Sequence, residues 1–128
     1  MSEEYLKEYS KDFLLKAKRF LEIAKLNLDK YPEEAAFNAT QAIINANDAF
    51  TIFVLGKKAT KDHREAIFLH KEAIKKIGDS SKLPIVQLSL ESRESTGYDI
   101  KKRIGKQNSG ILIKKAERFL DWVETILK

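Results

Sequence analysis

The hydrophobic and polar positions of this chain describe amphipathic helices around one helix that is apolar on nearly every side. Over the 21 residues from Ala35 to Leu55 the only charged residue is Asp48, although 34% of the whole chain is charged. A helix so depleted in charge has to be covered by protein on most of its sides. Pro32 suits its first turn and Gly56 suits a left-handed cap at its end. The pattern predicts a central helix, and the polar residues spread through it argue against a membrane span.

The other periodic segments predict amphipathic helices packed around this one. Asp62-His63-Arg64-Glu65 has the form of a capping box, and residues 57–61 form a short connection before it. The segments are Glu4 to about Lys30, Asp62 to Gly78, a stretch from Pro84 that breaks or kinks at Ser95-Thr96-Gly97, and a last helix after a loop at residues 106–110, capped by Asn108 or Ser109. We predict an all-α antiparallel up-down bundle of four long helices, to which residues 98–104 could add a short fifth.

Two neighbouring faces of the central helix differ in side-chain type. One, the alanine face, lets another helix approach closely and consists of Ala35, Ala39, Ala42, Ala46 and Ala49. The other, the polar stripe, lies about 100° further round and consists of Asn38, Gln41, Asn45 and Asp48. The polar stripe is either a narrow exposed face or a set of buried groups satisfied by neighbouring helices. Alternatively, it is a polar groove presented to a ligand or to a second subunit.

Composition limits the kinds of protein that this chain can be. With 128 residues it is expected to be one domain, residues 1–128, with a core that needs no metal or disulfide. The absence of cysteine and the acidic start Met1-Ser2-Glu3-Glu4 favour a cytoplasmic protein without a signal peptide. The net charge of +5 favours nucleic acid or an acidic partner. No cofactor motif is present, and two histidines without cysteine give no zinc site.

Three further features have both a structural and a functional interpretation. His63 begins a helix beside Arg64, so it is either a packing residue at a corner or a phosphate contact; His70 is interpreted as a packing residue. Lys101, Lys102 and Arg103 form the densest basic run, either a solvated helix face or a phosphate-binding surface. Trp122 lies off the inward stripe of the last helix, which predicts an outward side chain at a dimer contact.

Several motifs of the chain resemble the HEPN family, the higher eukaryotes and prokaryotes nucleotide-binding domains. Pro32-Glu33-Glu34-Ala35-Ala36-Phe37 and the run from Ala42 to Gly56 are similar to the family's alanine-rich second helix and its leucine-glycine turn. Residues 60–67 are similar to the start of the third helix. Leu90-Glu91-Ser92-Arg93 with Tyr98 and Asp99 resembles the family's Leu-x-x-Arg element, and residues 115–120 resemble its closing helix.

The resemblance implies a helical bundle, often a homodimer, that acts beside a minimal nucleotidyltransferase in a toxin–antitoxin pair or binds nucleotide or RNA. A catalytic subset of the family cleaves RNA with an Arg-x(4–6)-His motif. Arg93 corresponds best to its arginine, but no histidine follows at that spacing, and Arg64-x5-His70 lies in a different helix. We therefore expect a non-catalytic binding module, with no metal or cofactor. The alternatives are a ribonuclease toxin with an atypical site built from Arg93, Asp99 and His63 or His70, and a purely structural interaction protein.

Overall fold

The computed structural model describes residues 2–60, 62–98 and 105–128, with the backbone alone at residues 2–3 and 91–98. The all-α prediction is confirmed, and five helices of at least 15 residues are present in these ranges instead of four long ones. A two-stranded antiparallel sheet pairs the chain's start with the segment after the second helix. The elements are β1 (Ser2–Glu4), α1 (Ser10–Asn27), α2 (Pro32–Leu55), β2 (Lys57–Ala59), α3 (His63–Ile77), α4 (Leu83–Tyr98) and α5 (Lys106–Leu127).

Helix α2 is the centre of the bundle, as its charge depletion predicts. All five residues of the alanine face are at most 1% exposed. The helix begins at Pro32 and ends where Gly56 adopts φ of 73°, and α1, α3, α4 and α5 all pack against it. None of the described helices is both long and apolar enough to cross a membrane. The alanine face is therefore used inside the subunit, and it is not available to a second one.

The predicted start of the first helix is wrong, because the sequence before it is used by the sheet. Residues Ser2–Glu4 pair with Lys57–Ala59, and the Tyr5 N–H donates to the Gly56 carbonyl at 2.8 Å. A 3₁₀ turn at Lys7–Tyr9 then leads into α1. The long-range pairing of two three-residue segments has no local signature, so the sequence predicts only a connection at residues 57–61.

Two other predicted boundaries differ from the structure. Helix α4 continues through Ser95-Thr96-Gly97 to Tyr98, and the remainder of the predicted short fifth helix, residues 99–104, lies outside the described residues. Helix α5 begins at Lys106, so neither Asn108 nor Ser109 is its cap. The Ser109 hydroxyl instead donates to the Pro32 carbonyl at 2.6 Å, and this bond joins the start of α5 to the start of α2.

Candidate functional site

The start of α3 combines His63 and Arg64 with an acidic cap. The Asp62 carboxylate accepts the Arg64 backbone N–H at 2.9 Å, so Asp62 is the N-cap of α3, and this bond lowers the pKa of Asp62. The Arg64 side chain extends into solvent and is 93% exposed, while His63 is half-buried. A carboxylate thus already occupies the positive end of the helix. This arrangement favours the structural interpretation of His63 over a phosphate contact.

His70 lies in the core, which confirms its interpretation as a packing residue. Its side chain is 0% exposed, and its Nδ1 lies 2.7 Å from Asn47 Oδ1. Because the amide oxygen only accepts, Nδ1 carries the proton and Nε2 is bare. Nε2 has no hydrogen-bond partner among the described residues, and burial lowers the pKa of His70 to about 4. The imidazole is therefore neutral at physiological pH and cannot reach a ligand in solution.

Trp122 belongs to an aromatic cluster around this histidine, so its predicted outward orientation is wrong. The indole ring centroid lies 4.9 Å from that of Phe50 and 5.9 Å from that of Phe119. Its Nε1–H donates to Asp79 in the turn between α3 and α4 at 2.8 Å. A large ring on the flank of a helix can bury its body and keep its polar edge hydrogen-bonded at the rim. Trp122 is therefore half-buried and contributes to the fold, and the predicted dimer contact at this residue stays a prediction.

The polar stripe is largely enclosed by the bundle. Asn45 and Asp48 are buried, and Asn45 donates to the Gln41 carbonyl of its own helix at 2.8 Å. Asn38 accepts a hydrogen bond from Asn27 of α1 at 3.1 Å. Gln41 and Asp48 also have interaction partners. These contacts favour buried groups satisfied inside the subunit over an open polar groove.

A cavity between α4 and α5 gathers three cations that are distant in sequence. It has a volume of about 250 Å³. Its cations are Lys82, which directly precedes α4, and Lys115 and Arg118 of α5. The side chains of Ile85 and Leu88 form its apolar lining. None of the three cations forms an ion pair within the ranges that the structure describes. We call this the cationic cavity. No local pattern predicts this convergence, because Lys82 precedes Lys115 by 33 residues in the sequence.

The sequence of this helical bundle matches a known protein family. A sequence model of the HEPN domain matches residues 10–126. This chain belongs to the HEPN family. A search of curated proteins gave no match. Membership places the chain among modules that are generally related to nucleotides or RNA.

One arginine and one histidine match the spacing of the HEPN catalytic motif, Arg-x(4–6)-His. Arg64 and His70 are the only pair at Arg-x(4–6)-His spacing in the sequence. In this HEPN domain the arginine extends into solvent and the histidine is sealed in the core. Because one partner is accessible and the other is not, they do not form a catalytic pair.

The remaining predicted site residues lie at the end of α4 and in the segment that follows it. Arg93 and Tyr98 lie on the part of α4 for which only the backbone is described. Asp99, Lys101, Lys102 and Arg103 lie outside the described residues. Their roles in catalysis or phosphate binding stay predictions. Within the described part of this HEPN domain, no three histidine or acidic side chains come together as a metal site would require.

Proposed function

We propose that this HEPN domain is a non-catalytic module that binds the phosphates of a nucleotide or RNA. The observation that carries the proposal is the complete burial of His70, the only histidine at the family's catalytic spacing. A general acid or base has to come within hydrogen-bond reach of the proton that it transfers. A histidine that is enclosed by aromatic rings and neutral at pH 7 does not meet this requirement. The chain therefore keeps the fold of the family without an accessible catalytic histidine.

The cationic cavity supports the binding part of the proposal. Arginine can bind a phosphate through two parallel N–H groups, and lysine supplies a point charge. Lys82, Lys115 and Arg118 come from two helices and converge on one concave surface. The first turn of α4 forms one wall, so the positive end of that helix dipole adds to the potential. A single-stranded RNA phosphate or a nucleotide phosphate fits this chemistry.

Incubation with RNA tests the non-catalytic part. Purified protein should leave single-stranded RNA and transfer RNA intact, with or without Mg²⁺, when the products are resolved on denaturing gels. Cleavage that persists through repurification and is lost in His63→Ala would replace our proposal with a ribonuclease that uses a displaced site. His63 is the appropriate variant because it is the chain's other histidine and lies at a helix start.

Salt-dependent binding tests the cationic cavity. Fluorescence anisotropy with labelled single-stranded RNA should give a Kd that rises steeply with salt, because each neutralised phosphate releases counterions. Lys115→Gln with Arg118→Gln should weaken binding at least several-fold and reduce the slope of log K against log salt by roughly 0.7 for each lost phosphate contact. Lys57→Gln with Lys71→Gln removes the same charge from other exposed positions and is the matched control. Equal loss in both double variants would show that net charge alone, and not this cavity, attracts RNA.

The partners implied by the family resemblance are a separate part of the proposal. A minimal nucleotidyltransferase and a role in a toxin–antitoxin pair are supported by the motif resemblance and by HEPN membership. Affinity purification of the tagged chain from its native host, followed by mass spectrometry of protein and RNA, tests both. Recovery of other proteins without RNA or nucleotidyltransferase would favour the structural interaction protein.

A further inference from the structure

The cationic cavity is assembled from two separate elements of the chain. Lys115 and Arg118 lie one helical turn apart on α5, so the helix itself fixes their separation. Lys82 belongs instead to the irregular turn of residues 79–82 between α3 and α4. Helix α4 packs chiefly against α2 and α3. The position of Lys82 relative to the two cations of α5 therefore depends on what holds this turn against α5.

One carboxylate, that of Asp79, connects the turn to α5 with both of its oxygens. Its Oδ2 accepts the indole N–H of Trp122 at 2.8 Å, and its Oδ1 accepts the backbone N–H of Ser81 at 2.9 Å. The Ser81 hydroxyl also donates to this carboxylate. We call this chain of hydrogen bonds the Asp79 bridge. Because Ser81 lines the cationic cavity and directly precedes Lys82, the bridge ends at the wall of the cavity.

The α5 end of the bridge is fixed by aromatic packing. The Trp122 ring is half-buried, and its centroid lies 4.9 Å from that of Phe50 and 5.9 Å from that of Phe119. Both phenylalanines are 0% exposed. Trp122 also follows Arg118 by four residues, so the two side chains lie one turn apart on the same face of α5. The bridge thus joins the turn to α5 directly beside the arginine of the cavity.

We propose that Asp79 and Trp122 are positioning residues of the cationic cavity. The Asp79 bridge holds Lys82 where it reaches the same phosphate as the two cations of α5. Neither positioning residue contacts the phosphate itself. This inference rests on the proposed phosphate binding, and it gives a supporting role in that binding to an acidic residue.

Charge alone predicts the opposite role for Asp79. A carboxylate beside a phosphate site repels the ligand, and Asp79 is near enough to Lys82 to offset part of its charge. Hydrogen bonds, mainly from Ser81, lower the pKa of Asp79 to about 2, so this carboxylate is ionised at neutral pH. If Asp79 acted through its charge alone, its replacement by a neutral residue would strengthen phosphate binding. If it positions Lys82, the same replacement weakens phosphate binding although the net charge becomes more positive.

Asp79→Asn distinguishes these two effects because they have opposite signs. Asparagine has nearly the same size but only one acceptor oxygen, so it can accept from the indole N–H or from the Ser81 N–H and not from both. We expect the Kd for labelled single-stranded RNA, measured by fluorescence anisotropy, to rise roughly three- to tenfold. Asp121→Asn removes the same charge from the exposed residue next to Trp122 and is the matched control. The control should bind RNA at least as tightly as the wild type.

Trp122→Phe breaks the bridge from its other end. Phenylalanine keeps an aromatic ring for the cluster and lacks the N–H donor. The variant should raise the Kd for RNA by a similar factor without any change in net charge. Combined with Asp79→Asn, it should raise the Kd little further, because both substitutions disrupt one connection. Circular dichroism would confirm that each variant is folded.

A Lys82→Gln background tests whether the bridge acts through this lysine. Lys82→Gln alone should weaken RNA binding and reduce the slope of log K against log salt by about 0.7, for one lost phosphate contact. Asp79→Asn added to Lys82→Gln should then raise the Kd no further, because the bridge has no cation left to position. A general loosening of the fold would instead weaken binding in both backgrounds.

Three results would each overturn the proposal. They are RNA binding in Asp79→Asn that equals or exceeds that of the wild type, the same result in Trp122→Phe, and an effect of Asp79→Asn that persists in the Lys82→Gln background. Failure of the proposed function is distinguishable from these. Lys115→Gln with Arg118→Gln would then bind RNA no worse than its surface control, and both proposals would be overturned together. If that double variant loses binding while Asp79→Asn does not, only the positioning role is refuted.

Discussion

Acidification should destabilise this protein through His70 before its carboxylates titrate. The pKa of the folded imidazole is lowered to about 4 by burial, against 6.5 for an exposed histidine. Between these two pH values His70 is protonated in the unfolded chain and neutral in the folded chain. The free energy of unfolding therefore falls as the pH falls through this window, and it is independent of His70 well above pH 6.5.

The magnitude follows from the difference between the two pKa values. A difference of one in pKa corresponds to about 1.4 kcal/mol, so full protonation of the unfolded chain lowers the free energy of unfolding by about 3 kcal/mol below the folded pKa of about 4. Between about pH 7.5 and pH 5 the loss should be about 2 kcal/mol. This interval lies above the pKa range of ordinary carboxyl groups, so Asp79, whose pKa is lowered to about 2 mainly by its hydrogen bonds to Ser81, contributes little there.

Urea unfolding at several pH values measures this effect. The fluorescence of Trp122, the only tryptophan, reports the cluster directly, since its ring centroid lies 6.1 Å from that of His70. Far-UV circular dichroism at the same protein concentration reports the whole fold. His70→Phe keeps an aromatic ring and removes the titratable group, although it leaves Asn47 Oδ1 without its donor, at a cost of about 1–3 kcal/mol. The variant should be less stable at neutral pH. Its free energy of unfolding should no longer depend on pH between pH 5 and pH 7.5.

A second core variant separates titration from simple loss of stability. Val123→Ala removes buried methyl groups from a side chain that is 0% exposed and should cost about 2 kcal/mol while retaining the wild-type pH dependence. If the wild type shows no such dependence, or if His70→Phe retains it, the assignment of a buried neutral imidazole is refuted.

Two other predictions concern the ends of helices. Gly110→Ala should raise the free energy of unfolding by about 0.5–1 kcal/mol, because the added methyl group meets only Leu28 Cδ2 at 3.9 Å inside a helix; Gly78→Ala, at φ of 76°, should lower it by about 1 kcal/mol. In thermal unfolding, a higher midpoint temperature for Gly110→Ala and a lower one for Gly78→Ala would support this prediction, and shifts in the same direction would contradict it. Ser109→Ala should lower the free energy of unfolding by about 0.5–1.5 kcal/mol, since it removes the hydrogen bond that joins the start of α5 to the Pro32 carbonyl of α2. Thr125→Ala, which removes an exposed hydroxyl bonded within its own helix, is the control and should change it much less.

The boundaries that the sequence predicted correctly depend on local chemistry. Pro32 starts α2, Gly56 and Gly78 end helices with positive φ, and Asp62 caps α3. Each of these roles follows from the residue and its immediate neighbours. The central position of α2 was also predictable, because a run of 21 residues with one charge can be stable in water only when it is covered.

The features that the sequence did not predict depend on partners far along the chain. The Tyr5 N–H pairs with Gly56, and the hydroxyl of Ser109 pairs with Pro32 instead of capping its own helix. The stripe of α5 alone predicts an outward Trp122, but the space beside Phe50 and His70 that receives its ring is formed by α2 and α3. A helical wheel cannot show that neighbouring helices leave room for a large side chain on its flank.

Within the part of the chain that it describes, the structure separates lysines that form ion pairs from cations that do not, and the sequence alone does not show this difference. Lys18, Lys25 and Lys106 look in the sequence like any other surface lysine, yet each meets an acid on another segment of the chain. Lys82, Lys115 and Arg118 also look like ordinary surface cations in the sequence, but among the described residues none of them forms an ion pair, and only Lys82 has an acid, Asp79, near enough to interact with it electrostatically. An ion-paired lysine has part of its field cancelled, whereas cations that converge on a concave surface reinforce one another. A polyanion should therefore be attracted to the second group more than to the first, although both contribute equally to the net charge of +5. For a HEPN domain whose catalytic-spacing histidine is buried, this separation of paired from unpaired cations locates the surface where phosphate binding should be tested first.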